Sequence, residues 1–271
     1  MQKTLNNTLL KKSIIVLGLL FLFSCENSTS EKASVNSPAI TSQEISDEAI
    51  SLNNRGVGEM GYFNYSKAAD TFNELVKQTP DWELAKQNLA IALLNRQKPG
   101  DEEMAMKMAE DLSATNSSNL VAQYIMGILK FNQGLCDEAL PRFNTIIEND
   151  NSDAYALYFA GQCELQNGNI ERSLNLYRDA IKTDSYLRSA YYGGFMAAQR
   201  LQKSELAKEM LDAYQKLDSN PRAKLAEIKY TRMGPKAIAQ SDFLKDDTQV
   251  NIKSSAPYFK SPVALNIETD N

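Results

Sequence analysis

Histidine is absent from the 271-residue sequence, and its absence excludes several classes of function. The chain lacks the commonest general base of hydrolases, the commonest zinc and haem ligand, and the usual pH-sensitive switch. Only three cysteines occur, and Cys136 and Cys163 do not form the C-x-x-C spacing of a zinc or redox site. No nucleophile and base pair can be identified. We therefore predict a protein that is not an enzyme, with no metal site and no cofactor.

An excess of positive charge is also lacking. The chain has 29 basic and 34 acidic residues, which gives a net charge of −5. Removal of residues 1–24 removes Lys3, Lys11 and Lys12 and no acid, which leaves 26 basic and 34 acidic residues and a net charge of −8. An acidic body is repelled by a phosphate backbone, so nucleic acid is excluded as a partner.

Residues 1–24 have the layout of a bacterial lipoprotein signal peptide. Three lysines precede the 11-residue apolar run 13–23, which is too short for a spanning helix of about 20 residues. The run ends in Leu22-Phe23-Ser24-Cys25, which resembles a lipobox. This resemblance implies that Cys25 is acylated and becomes the lipid anchor, while the alternative is an ordinary signal peptide with a coincidental cysteine.

Residues behind the anchor predict its destination. An aspartate directly after the lipidated cysteine is associated with retention in the inner membrane. Glu26 occupies that position here, so we expect the protein in the outer membrane. Few acidic residues follow, which favours the periplasmic face over the cell surface. Residues 25–41 are rich in Ser, Asn and Thr and predict a flexible tether, and residues 241–271 predict an irregular tail.

Between tether and tail, residues 42–240 carry a 34-residue period, which is the length of a tetratricopeptide repeat (TPR). Residues 120–153 align with 154–187, so that Gly127, Gly134 and Phe143 fall on Gly161, Gly168 and Tyr177. We count five repeats: 49–82, 83–119, 120–153, 154–187 and 188–221. The second repeat has three extra residues, which we place in the Arg96–Gly100 turn.

The expected fold is all-α, a right-handed TPR superhelix of five helix-turn-helix repeats with a C-terminal capping helix. Small residues at the eighth position of each repeat should interlock with large residues at the twenty-fourth. Pro221–Met233 begins with proline and has apolar residues at helical spacing, which predicts that it forms the capping helix.

Three stretches are more particular than a generic repeat: NNRGVGEMGYFNYSKA with PDWELAKQNLAIALLNRQ, YLRSAYYGGFMAAQRL, and NPRAKLAEIKYTRMGPKA. They resemble the TPR region of exported bacterial proteins that continue into FG-GAP/VCBS β-propeller repeats and an ASPIC/UnbV domain. The resemblance covers residues 52 to about 240. It implies an extracytoplasmic recognition module without catalytic residues, whose propeller is either a separate partner or lost.

In a TPR superhelix the first helix of each repeat lines the concave face. Its inward positions predict a groove of aromatic and amide side chains, without the lysines and arginines that capture a carboxylate terminus. The candidate groove residues are Tyr124, Tyr158, Tyr192, Ile128, Phe131, Asn132, Gln162, Gln166, Asn95 and Arg200. They can hold an extended peptide or a partner helix, while the alternative is that the tyrosines only pack between neighbouring helices.

Cys136 and Cys163 fall on facing helices of the third and fourth repeats, so their sulfurs can approach. In an oxidising periplasm they could form a disulfide, and the alternative is two buried free thiols.

The sequence favours a membrane-anchored TPR adaptor that mediates protein–protein interaction in an outer-membrane uptake or assembly complex. Its partner would be a separate β-propeller or an outer-membrane transporter or assembly component. The alternative is an extracytoplasmic ligand-binding module for a glycan or peptide, in which the tyrosines stack on sugars.

Overall fold

The computed structural model describes residues 45–243. The predicted signal peptide 1–24, the predicted anchor Cys25, the predicted tether 25–41 and residues 244–271 of the predicted tail lie outside this range. The described part contains ten α-helices and one short 3₁₀ helix, Pro235–Ala237, and none of these helices is long and apolar enough to cross a membrane. The α-helices are α1 (Asp47–Gly61), α2 (Tyr65–Gln78), α3 (Glu83–Arg96), α4 (Asp101–Thr115), α5 (Leu120–Asn132), α6 (Cys136–Asn149), α7 (Ala154–Gln166), α8 (Ile170–Thr183), α9 (Arg188–Arg200) and α10 (Ser204–Lys216).

The helices pair into five consecutive helix-turn-helix repeats, which confirms the predicted repeat number and the TPR superhelix. Each helix packs against the next one in the chain. The first helices, α1, α3, α5, α7 and α9, also contact the first helix of the following repeat. They therefore form the inner layer, which lines the concave face.

Small and large side chains interlock as predicted. A Cβ atom added to Gly127 would lie 2.9 Å from the ring of Phe143, and one added to Gly161 would lie 3.0 Å from the ring of Tyr177. In the first repeat a Cβ on Gly56 would lie 2.5 Å from the Phe72 ring. All three rings are fully buried. Each ring fills the space that a glycine leaves on the facing helix.

The turn between the two helices of a repeat requires a positive φ. Gly134 and Gly168 supply it at 76° and 81°, as predicted. Phe63 and Gln202 occupy the corresponding turn positions in the first and fifth repeats, with φ of 61° and 58°. A left-handed conformation costs a non-glycine residue roughly 1–2 kcal/mol. Phe63 and Gln202 therefore adopt the turn conformation at a local cost in stability.

The second repeat is longer for a different reason than the sequence suggested. Its extra residues do not all lie in the turn: α3 and α4 are each one residue longer than α5 and α6, and the turn 97–100 is one residue longer than 133–135. Arg96 holds this turn by a bidentate ion pair with Asp101, at 2.9 and 2.7 Å. These hydrogen bonds lower the pKa of the Asp101 carboxyl.

The predicted capping helix is wrong, because residues 221–234 form turns and extended backbone. A short isolated helix is only marginally stable. The backbone groups of this segment form hydrogen bonds with other parts of the chain instead. The amide of Lys224 donates to the carbonyl of Tyr186, and the amide of Arg188 donates to the carbonyl of Lys224, both at 2.8 Å. We call residues 221–243 the strap.

Candidate functional site

The strap contacts the first helices of all five repeats. After its pairing with the start of α9, the amide of Ala226 donates to Ser189 Oγ at 2.9 Å. Tyr230 then reaches the turn of the first repeat, residues 233–236 contact α5 and the start of α7, and residues 240–242 contact α3 and α1. Its buried side chains are joined to the main hydrophobic core: Ala226, Tyr230, Met233, Ala237 and Ala239. The concave face of the repeats is therefore covered by the protein's own C-terminal segment.

Tyr124 and Tyr155 hold the middle of the strap. The hydroxyl of Tyr124 donates to the carbonyl of Met233, and its side chain is fully buried, which raises its pKa well above the ordinary value. Gly234 adopts a φ of 99° against these rings. A Cβ added there would lie 2.8 Å from Tyr155 and 2.9 Å from the Tyr124 hydroxyl. Only glycine fits this position, both for its φ and for lack of space.

Lys236 of the strap enters a pair of carboxylates at the start of α7. Its Nζ lies 2.6 Å from Asp150 Oδ2 and 2.9 Å from Asp153 Oδ2. Asp153 is also the N-cap of α7, because its other oxygen accepts from the amides of Tyr155 and Ala156. The hydrogen bond from Lys236 lowers the pKa of Asp150. Burial opposes the charge of Lys236, but the two carboxylates outweigh it and raise the lysine pKa.

Asparagine side chains hold the end of the strap by its backbone. Asn88 of α3 accepts from the amide of Gln240 and donates to its carbonyl, both at 2.8 Å. Asn53 of α1 donates to the same carbonyl at 3.0 Å. Asn54 makes the same two-way contact with Asp242, at 2.7 and 2.9 Å. Because these amides bond backbone groups, they recognise extended polypeptide without regard to its side chains at these two positions. We call Asn53, Asn54 and Asn88 the asparagine clamp.

Aromatic side chains hold the loop of the strap against the first repeat. The ring of Tyr230 contacts Phe63 and Tyr65 edge-to-face, with centroids 6.4 and 5.9 Å apart. Phe63 is one of the two turn residues with an unfavourable positive φ. This contact accounts for an aromatic residue at a turn position where the third and fourth repeats have glycine. The predicted groove residue Asn95 lines the cavity beside this cluster.

Some of the predicted groove residues lie under the strap, and others pack inside the repeats. Tyr124 lies under the strap, and Tyr158 is half-buried and accepts a hydrogen bond from Gln162 at 3.0 Å. Ile128 is fully buried in the core. Phe131 packs on Phe159, with ring centroids 5.2 Å apart. These residues support the alternative in which aromatic side chains pack between neighbouring helices.

Four other predicted groove residues contact nearby side chains or backbone, and three of them, Asn132, Gln166 and Arg200, are the last residues of their first helices. Asn132 donates to Glu102 at 3.4 Å, and Gln166 accepts from Cys136 at 3.1 Å. Arg200 donates to the carbonyl of Leu165 at 3.2 Å. Tyr192 is 47% exposed and lies on the ring of Tyr214 of the same repeat. The ten predicted residues therefore do not form one continuous open surface.

The repeat frame predicted from the sequence is wrong by one residue in α3, so it does not place Asn88 on the concave face. The sequence frame put Gln87 at the position of Asn53 and Tyr124. In the structure Asn53, Asn88 and Tyr124 each lie eight residues before the last residue of their helix. A usable signal was present, since asparagine is a poor helix former and occurs in the middle of two successive first helices.

Cys136 and Cys163 are buried free thiols and are not joined by a disulfide. Burial raises the pKa of both thiols. The structure therefore contains two buried free thiols, which is the alternative to the disulfide.

Comparisons with known proteins agree with this fold. The model of the tetratricopeptide repeat family matches residues 126–187. MamA from Desulfovibrio magneticus RS-1 is 17% identical, with a TM-score of 0.58 over 66% of this chain and 99% of that chain. YrrB, described as a TPR protein with an unusual peptide-binding site, is 17% identical, with a TM-score of 0.51 over 64% and 88% of the two chains. A search of curated proteins finds no match. The matching family is a repeat family and not a catalytic one, and these likenesses show a TPR fold.

Proposed function

We propose that this chain is a lipid-anchored TPR adaptor that holds an extended segment of a protein partner on its concave face. The asparagine clamp is the observation that carries the proposal. Asn53 and Asn88 already bind the backbone of an extended segment in cis, through three hydrogen bonds of 2.8 to 3.0 Å. A surface with this chemistry can bind an extended segment of another protein in the same way.

The cellular setting of the proposal comes from the sequence. The lipobox-like residues 22–25 support an anchor at Cys25, and Glu26 supports the outer membrane, with the periplasmic face favoured. The resemblance to TPR regions that precede a propeller supports a separate β-propeller as partner, with an outer-membrane transporter or assembly component as the other candidate. The description of YrrB as peptide-binding agrees with a peptide ligand.

The described residues favour a protein ligand over the glycan alternative. Sugar stacking needs open aromatic faces, but Tyr124 is fully buried and Tyr192 lies against Tyr214. The hydrogen bonds from Tyr124 and the asparagine clamp are directed at backbone amides and carbonyls. A polypeptide presents these groups at every residue, and a glycan does not.

Affinity purification of the full-length protein from detergent-solubilised membranes tests the adaptor. We expect a defined partner with the wild type and a loss of that partner with Asn88→Ala. Asn149→Ala is the matched control, because Asn149 is exposed on a second helix. The partner, once identified, is purified and its direct binding to both variants is measured. Recovery of the protein alone in every case would contradict the proposal.

The anchor is tested separately. We expect that Cys25→Ser abolishes incorporation of a labelled fatty acid and moves the protein from the membrane fraction to the soluble fraction. An unchanged membrane fraction would show that Cys25 is not the anchor.

A further inference from the structure

The strap has the features of a ligand that is tied to its own binding site. It is joined to α10 by the turn 217–222, four of whose six residues are exposed. From there its residues occupy distinct subsites on the first helices. A ligand linked in this way competes at an effective concentration of about millimolar, so an external ligand binds more weakly than it would to an open site.

Three subsites define the chemistry of an occupant. The carboxylates of Asp150 and Asp153 take Lys236, whose side chain is 15% exposed. Asp153 is 1% exposed, so an occupant without a cation would leave a buried charge unpaired. Four residues later the clamp holds the backbone of Gln240. Between them Ala237 and Ala239 are buried, so a larger side chain at either position would have to displace its neighbours.

A fourth subsite restricts the position two residues before the lysine. The added Cβ of any other residue at Gly234 would lie within 3 Å of Tyr155 and Tyr124. The subsites therefore select a seven-residue pattern. It has glycine at the first position, a cation at the third, small residues at the fourth and sixth, and a residue held by its backbone at the seventh. Residues 234–240, Gly-Pro-Lys-Ala-Ile-Ala-Gln, fulfil this pattern in cis.

We propose that the strap is an intramolecular competitor, and that the partner displaces it with an extended segment of the same pattern. This inference rests on the proposed adaptor function, because it names the chemistry of the partner at that site. The buried carboxylate of Asp153 makes the site selective for a cationic segment. Docking of the partner releases residues 221–243 from the concave face.

A labelled peptide with the sequence of residues 231–243, TRMGPKAIAQSDF, tests the proposal on the full-length protein. Gly234→Ala weakens the strap but leaves the groove unchanged. We expect this variant to bind the peptide at least tenfold more tightly than the wild type does. Addition of Asn88→Ala should weaken binding again by about tenfold, since it removes the clamp. A peptide with glutamate in place of its lysine should not bind.

Gly134→Ala is the matched control for the glycine substitution. Gly134 also has a positive φ, but a Cβ there meets no atom within 4 Å. This variant should bind the peptide as the wild type does. A Gly234→Ala protein that is folded by circular dichroism and binds no better than the wild type would overturn the inference.

A second experiment keeps the test valid if Gly234→Ala fails to fold. A protease site is inserted in the turn 217–222 of the full-length chain. The folded protein is then cut at this site, which separates the strap from the repeats covalently. We expect the cut strap to exchange with the labelled peptide. If the strap stays bound and no peptide enters, the strap is a fixed part of the fold and the inference is wrong.

The two proposals fail in different ways. If Asn88→Ala removes a partner while Gly234→Ala neither admits the peptide nor increases partner binding, the adaptor function stands and the competitor is rejected. If the peptide binds as expected but membranes yield no partner with any variant, the strap competes for a peptide site and the adaptor function is rejected.

Discussion

The repeats and the strap are stabilised by different means. In the repeats, buried aromatic rings fill spaces left by glycines, and the same arrangement recurs at Gly56, Gly127 and Gly161. The strap buries mostly small side chains and is held by polar contacts that differ from repeat to repeat, among them those of Tyr124, Asp153 and Asn88. Apolar interlock resists removal, whereas polar contacts of this kind can be exchanged for equivalent ones. The comparison predicts large effects in the repeats and smaller, local effects in the strap.

The largest effect is expected for Phe143→Ala. Phe143 is fully buried between Tyr124 and Phe159, with ring centroids 6.0 and 5.7 Å away. Its removal leaves a cavity in the middle repeat and should lower the free energy of unfolding by about 3–5 kcal/mol, measured in urea. Tyr62→Ala is the control, since Tyr62 is 81% exposed and should change stability by less than about 0.5 kcal/mol. Similar values for the two variants would contradict the interlock.

Gly127→Ala tests the same interlock from its small side. The added methyl group would lie 2.9 Å from the Phe143 ring and should destabilise the protein by about 1–3 kcal/mol. Gly58 is also inside a first helix, but its added Cβ meets nothing within 4 Å. Gly58→Ala should therefore stabilise the helix by about 0.5–1 kcal/mol. Thermal unfolding of the two variants shows whether each substitution raises or lowers stability. A stabilised Gly127→Ala variant would show that the helices can move apart.

Asn88→Ala should release the end of the strap without unfolding the repeats. It leaves both backbone groups of Gln240 with fewer partners, which costs about 1–3 kcal/mol of local stability. Hydrogen exchange should rise at the amides of Gln240 and Asp242 while those of α5–α8 keep their protection. Asn149→Ala should change neither region. Faster exchange throughout the repeats would mean that strap and repeats unfold as one unit.

The lysine subsite makes a prediction about pH. Lys236→Met should cost about 1–3 kcal/mol at pH 7, because both carboxylates lose their partner and that of Asp153 is buried. Asp150 has a lowered pKa in the folded state, so its contribution is present above the unfolded pKa of about 3.9 and is lost as pH falls through the folded value. Lys236 has a raised pKa, so its contribution is lost only as pH rises through that value, above about 10.4. Urea unfolding at pH 7, 5, 4 and 3 should show the difference between the two proteins shrink, and a constant difference would exclude the ion pair.

What the sequence could predict follows the same division. Gly127, Phe143, Gly161 and Tyr177 repeat at a fixed period, so five repeats and their packing were recognisable. Residues 221–233 have apolar residues at helical spacing, yet their structure depends on distant partners such as Tyr186 and Ser189. No local pattern records those partners. In α3 the predicted frame aligns Gln87, and not Asn88, with Asn53 and Tyr124.

The smallest expected effect separates local turn chemistry from packing. Gln202 takes a φ of 58° at the turn position where the third repeat has Gly134. Gln202→Gly removes the left-handed penalty but makes the unfolded chain more flexible, so we expect a net stabilisation of about 0.5–1 kcal/mol. Gly134→Ala should destabilise by about 1 kcal/mol, because its φ of 76° is unfavourable for alanine although space is open. Urea unfolding of both variants measures the backbone term alone. If Gln202→Gly proves destabilising, the side chain of Gln202 contributes a contact that outweighs the strain, and the fifth repeat is then stabilised differently from the third.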